Sequence, residues 1–401
     1  MLNGIIIVTA LLAAGYLAFS KRLAKSSDWK ATVTPLASIM GSGFLVSAPL
    51  LAGVVGNLAV ICMAVLLVLA YAVGGAIRFN IRHFEPIESQ HGPVQTIAFL
   101  SRIVLAAAYF ISVTYYLQLL AAFVLNAAGV QSQLAAHAIT TTLLVIIGGI
   151  GIWRGLATLE NLEKYAIALN LGMIGALLLG LAVYNVKLVT AGTWALPDVS
   201  STIDFHDLRV LLGLLIVVQG FETSRYLGSQ HPAEQRISTM RAAQLISAVI
   251  YIVFIGLATV LFHDGLGADV TAIVAMTLPV AAVLPVLLSI AAIGSQFSAA
   301  VADTEGASGL IEDITQRKLP MRYAYLLIML VTVALTWETD VNGIIAYASR
   351  AFALFYMLQC VVAMLVAWQK KELPRRGVRV GFFALVGLLC LLVFALGIPS
   401  G

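Results

Sequence analysis

The chain predicts an all-α polytopic membrane protein, on three observations. Only 10% of its 401 residues are charged, 61% are hydrophobic and the mean hydropathy is +1.00. A water-soluble domain carries about 25% charged residues, and a chain this poor in charge could not cover a surface in water. The apolar residues fall into about twelve runs, each near the roughly 20 residues that cross a bilayer as a helix. Lys and Arg fall in alternate loops between those runs, the asymmetry that orients helices in a membrane. The net charge of +4 is therefore no sign of a nucleic-acid partner; the bilayer is the expected partner.

The runs are residues 2–20, 33–55, 57–78, 95–127, 134–152, 163–184, 207–228, 241–262, 279–312, 322–338, 342–368 and 378–397. The first lacks a basic leader and a small-residue cleavage site and is followed by Lys21 and Arg22, so it reads as an uncleaved helix. With the N-terminus outside, the inner loops hold Lys21 to Lys30, Arg78, Arg82, Arg154, Lys164, Arg236, Arg241, Arg317 to Arg322 and Lys370 to Arg379. The outer loops hold little beyond Lys187 and Arg209. Both termini are expected outside, in a bacterial inner (cytoplasmic) membrane. Cys62, Cys360 and Cys390 all lie inside apolar runs, which implies neither a disulfide framework nor a metal cluster.

Two runs are interrupted near their centres. Met40-Gly41-Ser42-Gly43-Phe44 places two glycines in the second. Each weakens a helix by about 1 kcal/mol relative to alanine, and non-helical backbone survives at membrane depth only where it is buried or lines a cavity. Close packing through small residues is the other reading. Gln219-Gly220-Phe221-Glu222 interrupts the seventh run. A carboxylate there costs a few kcal/mol unless paired or wetted. Either Glu222 pairs with Arg225, three residues on, or a second helix is broken.

With the first run set aside, five spans make each half: residues 31–184 and 207–368, joined by 185–206. Residues 1–30 form an extra helix and loop, and 369–401 a final helix. The breaks then lie in core helices 1 and 6, which cross in opposite directions. This is an inverted repeat with discontinuous helices in matching places, the pattern of a binding site near the midplane.

Met40-Gly41-Ser42-Gly43, followed by Pro49, resembles the first-helix motif of amino acid–polyamine–organocation (APC) transporters. Gln219-Gly220-Phe221-Glu222 is similar to their sixth-helix Gly-Phe-Glu motif, followed as in the family by a His231-Pro232 turn and a basic stretch through Arg236 and Arg241. Ser308-Gly309-Leu310 through Leu319-Pro320 resembles the transition after their eighth core helix. The likeness runs over about residues 31–340. It implies the leucine-transporter fold, ten core helices in two inverted repeats working by alternating access. Three positions depart from the pattern. Ile216 stands where the family has a bulky aromatic gate, Asn170 lies where some proton-coupled relatives carry lysine, and Asp303, Thr304 and Glu305 alter the end of the eighth helix.

The expected site follows from the breaks. The second half of core helix 1, starting at Ser42 to Phe44, offers free N–H groups and a positive dipole end to a carboxylate. The first half of core helix 6, ending near Gln219, offers carbonyls to an ammonium group or a metal cation. Gly41, Gly43 and Gly220 let the backbone approach, with Phe221 and Ile216 alongside. In core helix 3, Tyr115 and Tyr116 diverge by about 100°, so only one can face the site squarely. Ser295 and Ser298, with the carbonyls of Ala37 and Met40, could form a sodium site or simply pack as small residues. Glu222 is the proton candidate. Asp303 and Glu305 are either further coupling residues or a solvated helix end. Arg350 is expected to have an acidic partner.

There is no phosphate loop, His/Cys ligand cluster or nucleophile triad in the sequence. The expectation is a secondary transporter rather than an enzyme, with no cofactor. Its partners would be a small organic solute (an amino acid or amine) and H+ or Na+. An inorganic ion, a nucleobase-like solute or a sensing role are the alternatives.

Overall fold

The computed structural model describes residues 2–156, 160–228, 230–267 and 269–400, and the described residues contain helices and turns but no strand. The side chains of Ser42 and of residues 160–164, Lys164 among them, lie outside the described residues. The helices are α1 (Leu2–Phe19), α2 (Lys21–Lys25), α3 (Ser27–Ser42), α4 (Phe44–Val55), α5 (Ala59–His83), α6 (Pro93–Ala127), α7 (Gln133–Arg154), α8 (Glu160–Thr190), α9 (Phe205–Gly213), α10 (Thr223–Tyr226), α11 (Ala233–Ala258), α12 (Ala272–Met276), α13 (Leu284–Ile314), α14 (Met321–Glu338), α15 (Val341–Gln369) and α16 (Arg376–Leu396).

Among the described residues, ten helical segments are long and apolar enough to cross a membrane. One of them, Ser27–His83, is 57 residues long. At about 1.5 Å per residue it is too long for one crossing, and it turns at Gly56–Leu58 into two: α3 with α4, then α5. Residues 205–226 escape the length test because the chain there is broken into α9, a 3-10 turn at Leu215–Val218, and α10. Counting both, the spans number about twelve.

The helix ends follow local chemistry. Ser132 and Asp340 cap α7 and α15, each side chain accepting an N–H from the first turn. Pro93 opens α6, where its missing N–H costs nothing. Asp204 and Asp207 form a reciprocal capping box on α9. The Asp207 backbone N–H bound to Asp204 holds that carboxyl below the usual carboxylate range.

Long α6 is the spine, packed on α13 and α15; α11 covers α3 and α5, and α1 lies along α8. The basic loops gather at one end. There Arg82 pairs with Glu234, Arg236 with Glu85 (2.7 Å) and Arg102 with Asp313 (2.6 Å). At the other end Asn57 donates to the Pro197 carbonyl at 2.9 Å, Asn126 to Thr271 at 2.9 Å and Arg209 to the Leu396 carbonyl at 3.1 Å. Successive spans therefore alternate in direction. Arg350 departs from expectation. Its Nε donates to the Phe394 carbonyl at 2.8 Å and its guanidinium lies 5.7 Å from the Phe394 ring, so the partner is the α16 backbone rather than a carboxylate.

Candidate functional site: two helix breaks above a cavity

The two interruptions meet each other. α3 ends and α4 begins at Gly43, where a Cβ would lie 2.6 Å from the Val217 Cα. Gly220 has φ +116°, and a Cβ on it would lie 2.5 Å from Ser38 Oγ and 2.7 Å from the Ser38 carbonyl carbon. Each glycine thus gives up a side chain so that the other broken helix can lie against it. The Tyr251 hydroxyl on α11 sits between the two, against the Ile39 carbonyl at 3.1 Å and the Val217 carbonyl. One tyrosine thereby answers carbonyls that the two broken helices leave over.

The ends of both half-helices are held by side chains from elsewhere. The Gly41 carbonyl accepts a bond from Gln296 Nε2 at 2.8 Å, while buried Gln296 Oε1 has no hydrogen-bond partner. Gln219 is extended, and its Nε2 donates to the Tyr116 hydroxyl at 3.2 Å. Glu222 is 1% exposed; its Oε2 accepts the Gly220 N–H at 3.0 Å and the Tyr356 hydroxyl at 2.8 Å. The expected alternative of a Glu222–Arg225 pair is therefore not what forms. Arg225 donates to Gln359 Oε1, stands 3.8 Å from Glu88 and lies over the Phe84 ring. Glu222 precedes α10, which is a single turn, and its carboxylate turns back to Gly220 and Tyr356 while Arg225 turns to Gln359.

Below the breaks, toward the basic end, lies a cavity of about 390 Å³. Of the expected residues, Ala37, Gly41, Tyr116, Ser295, Ser298, Asp303 and Glu305 line it. A Cβ on Gly41 would meet nothing within 4 Å, so this glycine faces open space. Met40, Gly43, Phe44, Tyr115, Ile216, Gln219, Gly220, Phe221 and Glu222 are buried and do not line it. Phe44 instead packs on Phe254 (4.3 Å between ring centres), Phe221 stacks on Tyr356 (5.3 Å), and the Ile216 N–H donates to Ser349 at 2.9 Å. Of the paired tyrosines, Tyr116 reaches the cavity and Tyr115 does not.

The cavity holds two carboxylates and, among its described lining residues, no Lys, Arg or His. Asp303 accepts a hydrogen bond from the Ser112 hydroxyl, and Glu305 is exposed. Asn170, on α8, is part of the same wall. Ser295 and Ser298 share it with Ala37, but Met40 does not; the Ser295 hydroxyl donates to the Ala292 carbonyl at 3.1 Å. A second space of about 540 Å³, lined by Glu85, Glu88, Arg102, Arg225, Arg236 and Asp313, shares Tyr109, Tyr226 and Gly306 with the cavity and extends it toward the basic end.

Sequence reasoning missed Tyr109, Ser112, Tyr251, Gln296 and Tyr356. Tyr109, Ser112 and Tyr116 share an i, i+3, i+7 face, a signal that was available. The other three act across partners more than 100 residues away, except for the Tyr251–Val217 bond, and carry no local signal.

A family model described as an APC superfamily transporter matches residues 21–397. An uncharacterised protein of Aquifex aeolicus (strain VF5) is 42% identical over 389 residues, covering 94% of this chain and 93% of its own. In fold, the chain is similar to the Eremococcus coleocola manganese transporter bound to an aromatic bis-isothiourea substituted compound. That match has a TM-score of 0.58 and 15% identity, and covers 94% of this chain and 88% of the other. A point mutant of the same transporter gives a TM-score of 0.60 and 14% identity, over 93% and 87% of the two chains.

Proposed function

The chain belongs to the APC superfamily of transporters and has the leucine-transporter type of fold, and on that premise we propose that it is a secondary active transporter of a small organic solute bearing an amine. The observation that carries the reading is the 390 Å³ cavity that reaches Gly41 at the first break and opens toward the basic end. In an orientation with basic loops in the cytoplasm, this is an inward-open state, and both termini face out. Residues 31–184 and 207–368 act as two inverted repeats, with α3/α4 and α9/α10 as their broken helices.

Among its described lining residues the cavity has two carboxylates to offer a cation and no basic side chain; Arg102, Arg225 and Arg236 line the space beyond it, beside Glu85, Glu88 and Asp313. An amine therefore suits it, whether on an amino acid or a simple organic cation. The N-terminus of α4, the expected carboxylate site, lies behind Val217 in this state. Coupling by protons is favoured over sodium, with Glu222 as the proton carrier. Met40, one of the four sodium candidates, lies off the shared wall.

A second reading, transport of a divalent cation, draws on the fold likeness to a manganese transporter and on Asp303 and Glu305. Hard cations take six or more oxygen ligands, carboxylates among them. The breaks themselves place no carboxylate on the cavity wall, which favours the organic solute. Thermal shift of the purified protein across amino acids, amines, organic cations and Mn2+ tests both. A ligand at 100 times its dissociation constant stabilises by about 2.7 kcal/mol. A shift with Mn2+ and none with amines would replace the first reading by the second.

A further inference from the structure

A groove of about 460 Å³ adjoins the cavity at the basic end, between α1, α2, α3 and the start of α8. Leu17, Leu23 and Leu171 give it an apolar floor, and Trp29, Lys30 and His231 give it a polar rim. Lys30 lines the groove, and Lys21, Arg22 and Lys25 flank Leu23 and Ala24, which also line it; all four cations are exposed. The one acid in residues 21–30, Asp28, accepts a bond from Gln235 Nε2 at 2.7 Å. His231 is held from below, its Nδ1 3.5 Å from Ser27 Oγ and 3.1 Å from Gln235 Oε1. The outer face of α1 is apolar and exposed at Leu11, Leu12, Tyr16 and Phe19, so lipid runs up to the groove's edge.

We propose that this groove binds an anionic phospholipid of the leaflet at the basic end, one acyl chain on the apolar floor and the phosphate against Lys25 and Lys30. A tryptophan at the rim sits where the aromatic belt of a membrane protein lies. A cluster of Lys and Arg beside a groove between helices is the chemistry that selects anionic headgroups. A zwitterionic lipid would fill the floor equally well but gains nothing from the four cations. The groove shares Thr34, Ile167 and Gln230 with the transport cavity. A lipid seated there rests on α3, the half-helix that leads to the first break, and so bears on its movement.

The test uses the full chain in detergent and reads melting temperature, which does not depend on any transport assay. Phosphatidylglycerol should raise the melting temperature by several degrees, and phosphatidylcholine and inorganic phosphate should not. The double variant Lys25→Gln/Lys30→Gln, and Ala24→Trp, which fills the groove from an exposed position, should both melt like the parent without lipid and lose the shift. An equal shift with phosphatidylcholine would mean a site for acyl chains alone. A shift with phosphate alone would mean a free-anion site. Either result, no shift with phosphatidylglycerol, or a shift that survives in both variants overturns the proposal.

Discussion

Glu222 and Tyr356 are joined by a 2.8 Å hydrogen bond, and the carboxylate oxygen that accepts it also accepts the Gly220 N–H at 3.0 Å. One buried oxygen therefore fixes the second break to α15. Glu222→Gln keeps an acceptor for both donors. We expect this variant to fold and to exchange solute across a membrane, but to lose concentrative uptake driven by a pH gradient. Uptake with the parent's pH dependence would remove Glu222 as the proton carrier. Glu222→Leu instead strands two buried donors, at about 1–3 kcal/mol each, and should lower the melting temperature in detergent.

Gly220→Ala and Gly41→Ala separate the two uses of glycine at the breaks. At Gly220 the added methyl meets Ser38 at a backbone conformation that L residues rarely adopt. The expected cost is about 1–3 kcal/mol or more, seen as a lower melting temperature. At Gly41 the methyl enters open cavity, so the protein should fold normally and change only its affinity for solute. Equal destabilisation by the two variants would contradict this geometry.

Asp303→Asn tests the charge of the cavity. The Ser112 hydroxyl keeps an acceptor, so folding should be unaffected. Binding of an amine solute, read by calorimetry or thermal shift, should weaken tenfold or more. That corresponds to about 1.4 kcal/mol. Unchanged affinity would mean that the amine is held elsewhere.

Gln359, on α15 with Tyr356, is a hydrogen-bond hub. Its Oε1 accepts from Arg225 and from Asn80 (3.0 Å), and its Nε2 donates to Ser101 at 2.8 Å. Gln359→Leu leaves a buried guanidinium without this acceptor. A loss of about 3 kcal/mol is expected, read as a clear drop in melting temperature. A variant as stable as the parent would show that Arg225 rests on Glu88 and Phe84 instead.

The apolar runs made the membrane spans legible because hydropathy over 20 residues is a local property. Gly41–Gly43 and Gln219–Glu222 marked both interruptions for the same reason. Of the two readings of Glu222, the broken helix is what forms, and the Arg225 pair does not, because Glu222 precedes α10 and its carboxylate turns back to Gly220 and Tyr356. Which expected residues reach the cavity was not legible. Gly43 and Gly220 look like site glycines in sequence, but their faces are filled by Val217 and Ser38. Tyr251 and Gln296 serve the first break from α11 and α13, an arrangement that only the folded chain brings together.

Solute counterflow in proteoliposomes tests whether the cavity below the breaks serves transport by alternating access. Liposomes are loaded with an unlabelled solute that stabilises the purified protein and are then given a labelled trace outside. Label should accumulate transiently above equilibrium in vesicles holding the parent protein and not in empty vesicles. A solute that stabilises the protein yet shows no counterflow would contradict it and leave a membrane protein that binds without transporting.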